Sequence, residues 1–229
     1  MKFSLLLVAS LGLATAACGS DSQSDPASGT GGSAGVSGTG GGAGTGSGAG
    51  FGGSAGVVGT TVADDLTFLR EEEKLARDVY LTLYDTWKLM PHQNISKSEQ
   101  THMDSVKVVL DTYGLEDPVK DDTVGVFTSS ELAKLYTDLV ALGNGSEVDS
   151  LRAGATIEDL DIRDIEAMRA SATEADVLSM YDSLQCGSRN HMRSFYSQLQ
   201  QRGETYEAQY ITAQELADIV GSAKETCNQ

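Results

Sequence analysis

From Asp64 onward apolar residues return every three or four positions, and ahead of Asp64 they do not. Leu66, Leu69, Leu75, Ala76, Val79, Tyr80, Leu83 and Trp87 trace one such series, which predicts a long amphipathic helix closed by Pro91. A second series runs from Gln93 or Ser96 through Met103, Val106, Val109 and Leu110 to Tyr113, with Gly114 placed as a C-terminal stop. Residues 115–127 contain Pro118, Gly125 and several aspartates, and read as a crossing loop. Thr128-Ser-Ser-Glu131 has the spacing of a capping box and opens a short helix to Leu142, ended by Gly143. A third long helix is expected over Glu147–Ala170 and a fourth from a Thr173 cap to about Arg202, before Gly203. Tyr210–Ser222 adds a small helix that docks through Ile211, Leu216 and Ile219. Beta structure has almost no support.

The turn at Pro91 is short, so the first two helices should be antiparallel neighbours, whereas a long excursion separates the second from the third. That connectivity predicts an all-α fold, a ferritin-like four-helix bundle whose long crossover carries an extra short helix. On the first helix Leu69, Glu73, Ala76, Tyr80, Leu83 and Trp87 share one stripe. Glu72 shares the neighbouring stripe with Leu75 and Val79, so a rotation of one residue would exchange the two carboxylates. Of the run Glu71-Glu-Glu73, at least one member is expected to be solvated. On the second helix Glu99 and His102, three apart, lie on the stripe of Val106, Val109 and Tyr113. On the third, Glu158 lies with Leu151, Ala155, Ile162 and Ile165, and Asp161 stands beside it. Most carboxylates between Ile157 and Glu166 are expected to be solvated. On the fourth, His191 sits mid-stripe among Val177, Tyr181, Leu184, Ser188, Phe195 and Leu199. His92, in the inter-helix turn, reads as structural or exposed, and Tyr80 as a core filler or a hydrogen-bond donor.

A buried carboxylate needs a partner or it loses its charge, and a metal ion is one such partner. Two of only three histidines fall on bundle faces alongside carboxylates. Glu73, Glu99, His102, Glu158, Asp161 and His191 are therefore candidate metal ligands. Oxygen-rich ligands with two imidazoles suit one or two ions of iron or manganese and tolerate zinc. A symmetric two-metal carboxylate site would carry a second Glu at position 188, where this chain has Ser. Either Asp161 makes up the missing carboxylate, or the second ion is weakly held or absent.

The N-terminal region changes the picture of where such a domain would work. Residues 1–17 combine Lys2, an apolar run from Phe3 to Ala14 and small residues before Cys18, the layout of a secretory signal. Cys18 resembles the lipidated cysteine of bacterial lipoproteins, although Thr15 departs from that cleavage box; ordinary cleavage and free secretion is the alternative. Gly19 would send a Gram-negative lipoprotein to the outer membrane, and otherwise the protein would be periplasmic or secreted. Residues 18–60 form a tether, with 16 glycines among the 31 residues of Gly29–Gly59. Such a tether spans roughly 35 Å, and residues 61–229 form the helical domain. In an oxidising compartment Cys186 and Cys227 could form a disulfide or remain two thiols. The net charge of −17 makes nucleic acid an unlikely partner and membrane contact a matter of the N-terminal lipid only. A homodimer is compatible with the sequence.

Arg70-Glu-Glu-Glu-Lys-Leu-Ala-Arg-Asp-Val-Tyr80, Ser98-Glu-Gln-Thr-His-Met-Asp104, Gly125-Val-Phe127, Ile157-Glu-Asp-Leu-Asp-Ile162 and Gly187-Ser-Arg-Asn-His-Met-Arg193 together resemble the ferritin-like proteins grouped as domain of unknown function 2202 (DUF2202). The resemblance covers about residues 64–202. It implies a ferritin-like fold with a metal-binding core in which Glu73, Glu99, His102, Glu158 and His191 match ligand positions, and it implies no settled activity. Two functions follow as expectations: an iron or manganese protein with ferroxidase or peroxide-scavenging activity, or a metal-free or structurally metallated interaction module on a surface tether.

Overall fold

The computed structural model describes residues 61–227. The expected signal segment, the lipidation site Cys18 and the tether lie outside the described residues. Six helices are present: α1 (Val62–Trp87), α2 (Met90–Thr112), α3 (Ser130–Gly143), α4 (Glu147–Ser171), α5 (Ala175–Gln200) and α6 (Ala213–Gly221). Among the described residues there is no strand, and no helix is long and apolar enough to cross a membrane.

The helices α1, α2, α4 and α5 make an all-helical bundle in which α1 packs on α2, α4 on α5, α1 on α4 and α2 on α5. Two apolar clusters fix the directions of the helices. One joins the start of α1 (Leu66, Leu69), the end of α2 (Val106, Leu110), the end of α4 (Ile165, Met168) and the start of α5 (Val177, Leu184). The other joins the opposite ends, with Val79 and Leu83 of α1, Ile95 of α2, Leu151 and Ala155 of α4, and Phe195 and Leu199 of α5. Every packed pair is therefore antiparallel, and α2 and α4 run parallel. The segment from Tyr113 to Ser146 must travel the length of the bundle, and α3, carried within it, packs on α1 and α4.

Several helix ends differ from expectation. Pro91 does not close α1; it lies in the first turn of α2, where its missing N–H costs nothing, and α1 ends at Lys88 in the left-handed region (φ 55). The α3 cap is Ser129, whose hydroxyl accepts from Leu132 N, while Thr128 donates to Pro118 O at 2.6 Å. Helix α5 begins after Glu174, not Thr173, with no side-chain cap. A capping box does form at Thr212 and Glu215, at the start of α6. Gly114 and Gly203 stop their helices as expected, at φ 67 and 74, each followed by an N–H returning five residues to the helix.

Burial departs from expectation most on the charged runs. Glu71, Glu72 and Glu73 are all buried, Glu71 under the crossover, Glu72 against Asp161 and Asp164 of α4 and Glu73 in the bundle core. Glu71 accepts from Thr128 N (2.6 Å) and Ser129 N (2.8 Å), Arg70 pairs with Asp117 (3.2 Å), and Asp78 accepts from Gly125 N (3.0 Å). Lys74 is fully buried, donating to Asp78 and to Thr123 O (2.9 Å) beneath the Phe127 ring. Glu158, Asp159, Asp161 and Asp164 are buried too, leaving Glu166 exposed. Asp159 accepts from Gln209, Tyr210 and Ile211 N–H groups and from the Tyr206 hydroxyl, fastening the segment that leads into α6. Tyr113, expected on the core stripe, is 44% exposed and donates to Asp176.

Cys186 of α5 and Cys227 form a disulfide. Gly154 of α4 is a close helix contact in the bundle core, since a Cβ there would stand 2.5 Å from the Phe195 ring. Gly154→Ala should therefore force α4 and α5 apart and cost about 1–3 kcal/mol. A lowered melting temperature checks this, and an unchanged one would mean that the pair can separate freely.

Candidate metal centre

Between the two apolar clusters lies a layer of charged side chains, one helix turn thick, to which all four bundle helices contribute. Glu73 comes from α1, Glu99 and His102 from α2, Glu158 and Asp161 from α4, and Ser188 and His191 from α5; each is no more than 8% exposed. The helical period places them there. Glu73 follows Leu69 by four residues, His102 precedes Val106 by four, Glu158 precedes Ile162 by four and His191 precedes Phe195 by four. Register thus decides for Glu73 over Glu72.

The donor atoms fall into two trios, Glu73–Glu99–His102 and Glu99–Glu158–His191, each with one ligand atom per residue and all three within 4.8 Å of one another. Glu99 belongs to both. His102 Nδ1 stands 2.8 Å from Glu99 Oε2 and 3.2 Å from Glu73 Oε2. His191 Nδ1 stands 2.9 Å from Glu99 Oε1 and 3.4 Å from Glu158 Oε2. Despite these distances, His191 Nδ1, Glu99 Oε1 and Glu73 Oε1 have no hydrogen-bond partner of proper geometry. Orphaned buried polar atoms are costly, and several converging on one point fit a cation.

The far sides of these candidate ligands are also held. His191 Nε2 is 3.0 Å from Ser98 Oγ, so with Nδ1 turned to the carboxylates the Nε2–H donates to Ser98. The buried Tyr80 hydroxyl donates to Glu158 Oε1 and lies 3.3 Å from Gly154 O. The two imidazoles stack with centroids 5.5 Å apart. Position 187 has to be glycine, since a Cβ there would meet His102 Nε2 at 2.5 Å.

Asp161 is not in either trio. Its Oδ2 accepts from Ser188, whose Oγ also lies 2.9 Å from Leu184 O, and its Oδ1 is unpartnered. Glu72 is buried beside Asp161 and Asp164 and outside the trios. His92 is buried rather than exposed, with Nε2 2.8 Å from Ser150 Oγ; burial holds it down at about 4, neutral within an aromatic group with Tyr80 and Phe195. Sequence reasoning missed Ser98 and Gly187. The available signal was that each opens a segment of the family resemblance, one residue before Glu99 and four before His191.

Electrostatics reflect carboxylates in excess of cations. Burial pushes Glu73, Glu158 and Asp161 up, Glu158 to about 7. Burial would raise Glu99 as well, but His191 and His102 outweigh it and hold Glu99 at about 2. Burial pulls both imidazoles down; the carboxylates prevail, lifting His102 well above its usual value and His191 to about 10. Burial and Glu158 raise Tyr80, keeping it a donor.

Comparison with known proteins adds the following. Residues 62–223 match the family described as "Uncharacterized protein domain (DUF2202)". An uncharacterised protein, MJ0754, of the archaeon Methanocaldococcus jannaschii is 51% identical over 162 residues, covering 71% of this chain and 88% of its own. The crystal structure of hypothetical protein MJ0754 superposes with a TM-score of 0.71 at 50% identity, over 71% of this chain and 93% of that one.

These shifts set the pH behaviour of the metal-free protein. Glu99, held low, contributes stability above pH 4.5 that is lost as pH falls towards 2. Glu158, raised to about 7, favours the folded state below pH 4.5 and loses that contribution as pH rises through 7. His191, raised to about 10, contributes below pH 6.5 and loses its share as pH rises through 10. The melting temperature should therefore fall between pH 6 and 10, and fall less in His191→Gln. A flat profile in the wild type over that interval would contradict an ion-paired layer.

Proposed function

The chain belongs to the DUF2202 family, and we propose that it is a metal-binding protein whose bundle core holds two ions of iron or manganese. Glu73 and His102 would hold one ion, Glu158 and His191 the other, and Glu99 would bridge them. The observation that supports this most is the pair of buried trios sharing one carboxylate, with donor atoms that hydrogen bonding leaves unpartnered. Carboxylate oxygens with imidazole nitrogens suit these metals. At position 188, where a symmetric site would carry Glu, Ser188 donates instead to Asp161, which stands in the same layer outside the trios.

When bound, such ions supply one-electron redox chemistry, which suits oxidation of ferrous iron or reduction of peroxide. The protein's own share is positional. Tyr80 orients Glu158, Ser98 fixes the tautomer of His191, and the apolar clusters above and below exclude bulk water from the layer. The alternative of a metal-free interaction module leaves Glu73, Glu99 and His191 atoms without partners, and the metal reading removes that cost. Export, with lipid attachment at Cys18, is part of the proposal and rests on the N-terminal sequence alone.

Loading the purified chain with iron or manganese and counting ions by elemental mass spectrometry tests the reading. Two ions per chain are expected, none in Glu99→Ala, and at most one in His102→Ala, with helicity retained in both. Equal metal content in all three proteins would sink the site.

A further inference from the structure

Resting on that reading of the centre, we propose that the cavity between α2, α5 and the C-terminal tail is the entry and holding site for its small-molecule ligand. That ligand would be an uncharged or singly negative hydrogen-bonding molecule of the size of peroxide or azide. The tail segment Ser222–Cys227 would be the cavity's fixed outer wall.

The cavity holds about 450 Å³ and reaches both imidazoles, His102 and His191, while none of Glu73, Glu99 or Glu158 lines it. The cavity meets the two imidazoles on the edges away from the carboxylates, where His191 Nε2 lies at Ser98 and His102 Nε2 at Gly187, so the histidines stand between it and the trios. Hydroxyls and amides are spread over the walls: Ser98, Ser183 and Ser194 with Asn94 and Asn190. Such groups can hydrogen-bond a small polar molecule. Gly187 keeps the floor open, because a side chain there would collide with His102.

Charge sets the class of occupant. Glu225 is the one carboxylate in the lining, and it is fully engaged: Arg189 and Arg193 pair with it, the latter at 2.7 Å. Lys224 adds a further positive charge at the rim. In a chain of net charge −17 this mouth disfavours cations and admits neutral or anionic molecules.

The outer wall is held at several points. The Cys186–Cys227 bond closes it covalently. Asn190 accepts from Glu225 N (2.9 Å) and donates to Glu225 O (3.1 Å), and Arg193 donates to Ile219 O (2.8 Å) and to Ser222 (2.8 Å). None of these groups takes part in the trios, so their arrangement serves the mouth and not ligation.

Azide added to the ferric, iron-loaded chain, followed by absorption and by metal count, tests this. Ser194→Trp, which fills the cavity, should weaken azide binding at least tenfold, and Lys224→Glu, on the exposed rim, about threefold. Metal content should equal that of the wild type in both. Equal azide affinity in the wild type and in both variants, all at full metal content, overturns the cavity assignment and leaves the metal centre standing. Weakening in Lys224→Glu supports it even where Ser194→Trp fails to fold. Absence of metal from the wild type overturns both readings.

Discussion

A layer of carboxylates buried across the middle of the bundle is the constraint around which the molecule is built. Glu73, Glu99, Glu158 and Asp161 lie in a layer with only His102 and His191 to answer them, and desolvating charges of one sign is among the most expensive acts in a fold. The surroundings reduce that cost where they can. Two imidazoles are drawn towards their protonated forms, Ser188 and Tyr80 donate to Asp161 and Glu158, and the donor atoms of each trio gather within 4.8 Å of one another. A protein selected for stability alone would fill the layer with leucine. That the layer stays polar between two apolar clusters is the observation on which the proposed metal binding rests.

The outer segments can be understood as consequences of the same layer. Helix α1 carries charged side chains on nearly every side, so it needs cover on the face turned away from the core. The crossover supplies it, with Glu71, Lys74, Arg77 and Asp78 holding its backbone and aspartates. Asp159 does the same for the segment that leads into α6. In both places a carboxylate accepts backbone N–H groups of a loop, which makes the loop's path depend on the helix beneath it.

Much of this was legible from periodicity. The stripes through Glu73, Glu99, His102, Glu158 and His191 were readable because each of these residues keeps the spacing of the apolar residues around it, and all five converge. The long crossover was readable from the gap between two helical series. Solvent exposure was not, because burial of Glu71, Glu72, Asp159 and Asp164 depends on segments far away in the chain folding over them. Local propensity carries no trace of such cover. Caps misread for a related reason: Thr128 and Ser129 are equally able to cap α3, and the choice went to Ser129 once Thr128 was engaged by Pro118. Ser98 escaped notice because a serine beside a glutamate has no signature; only the direction of the His191 ring gives it a role.

The bond between Cys186 and Cys227 ties the finished form of the protein to the place where it matures. A chain that folds where thiols are kept reduced would complete its two apolar clusters, since neither cysteine belongs to them, and would hold its last residues only by the ion pairs and hydrogen bonds of Arg189, Asn190 and Arg193. The same chain reaching an oxidising compartment would have them locked in place. Assembly of the core and sealing of its approach are thus separable events, the second recording the chemical surroundings through which the molecule has passed.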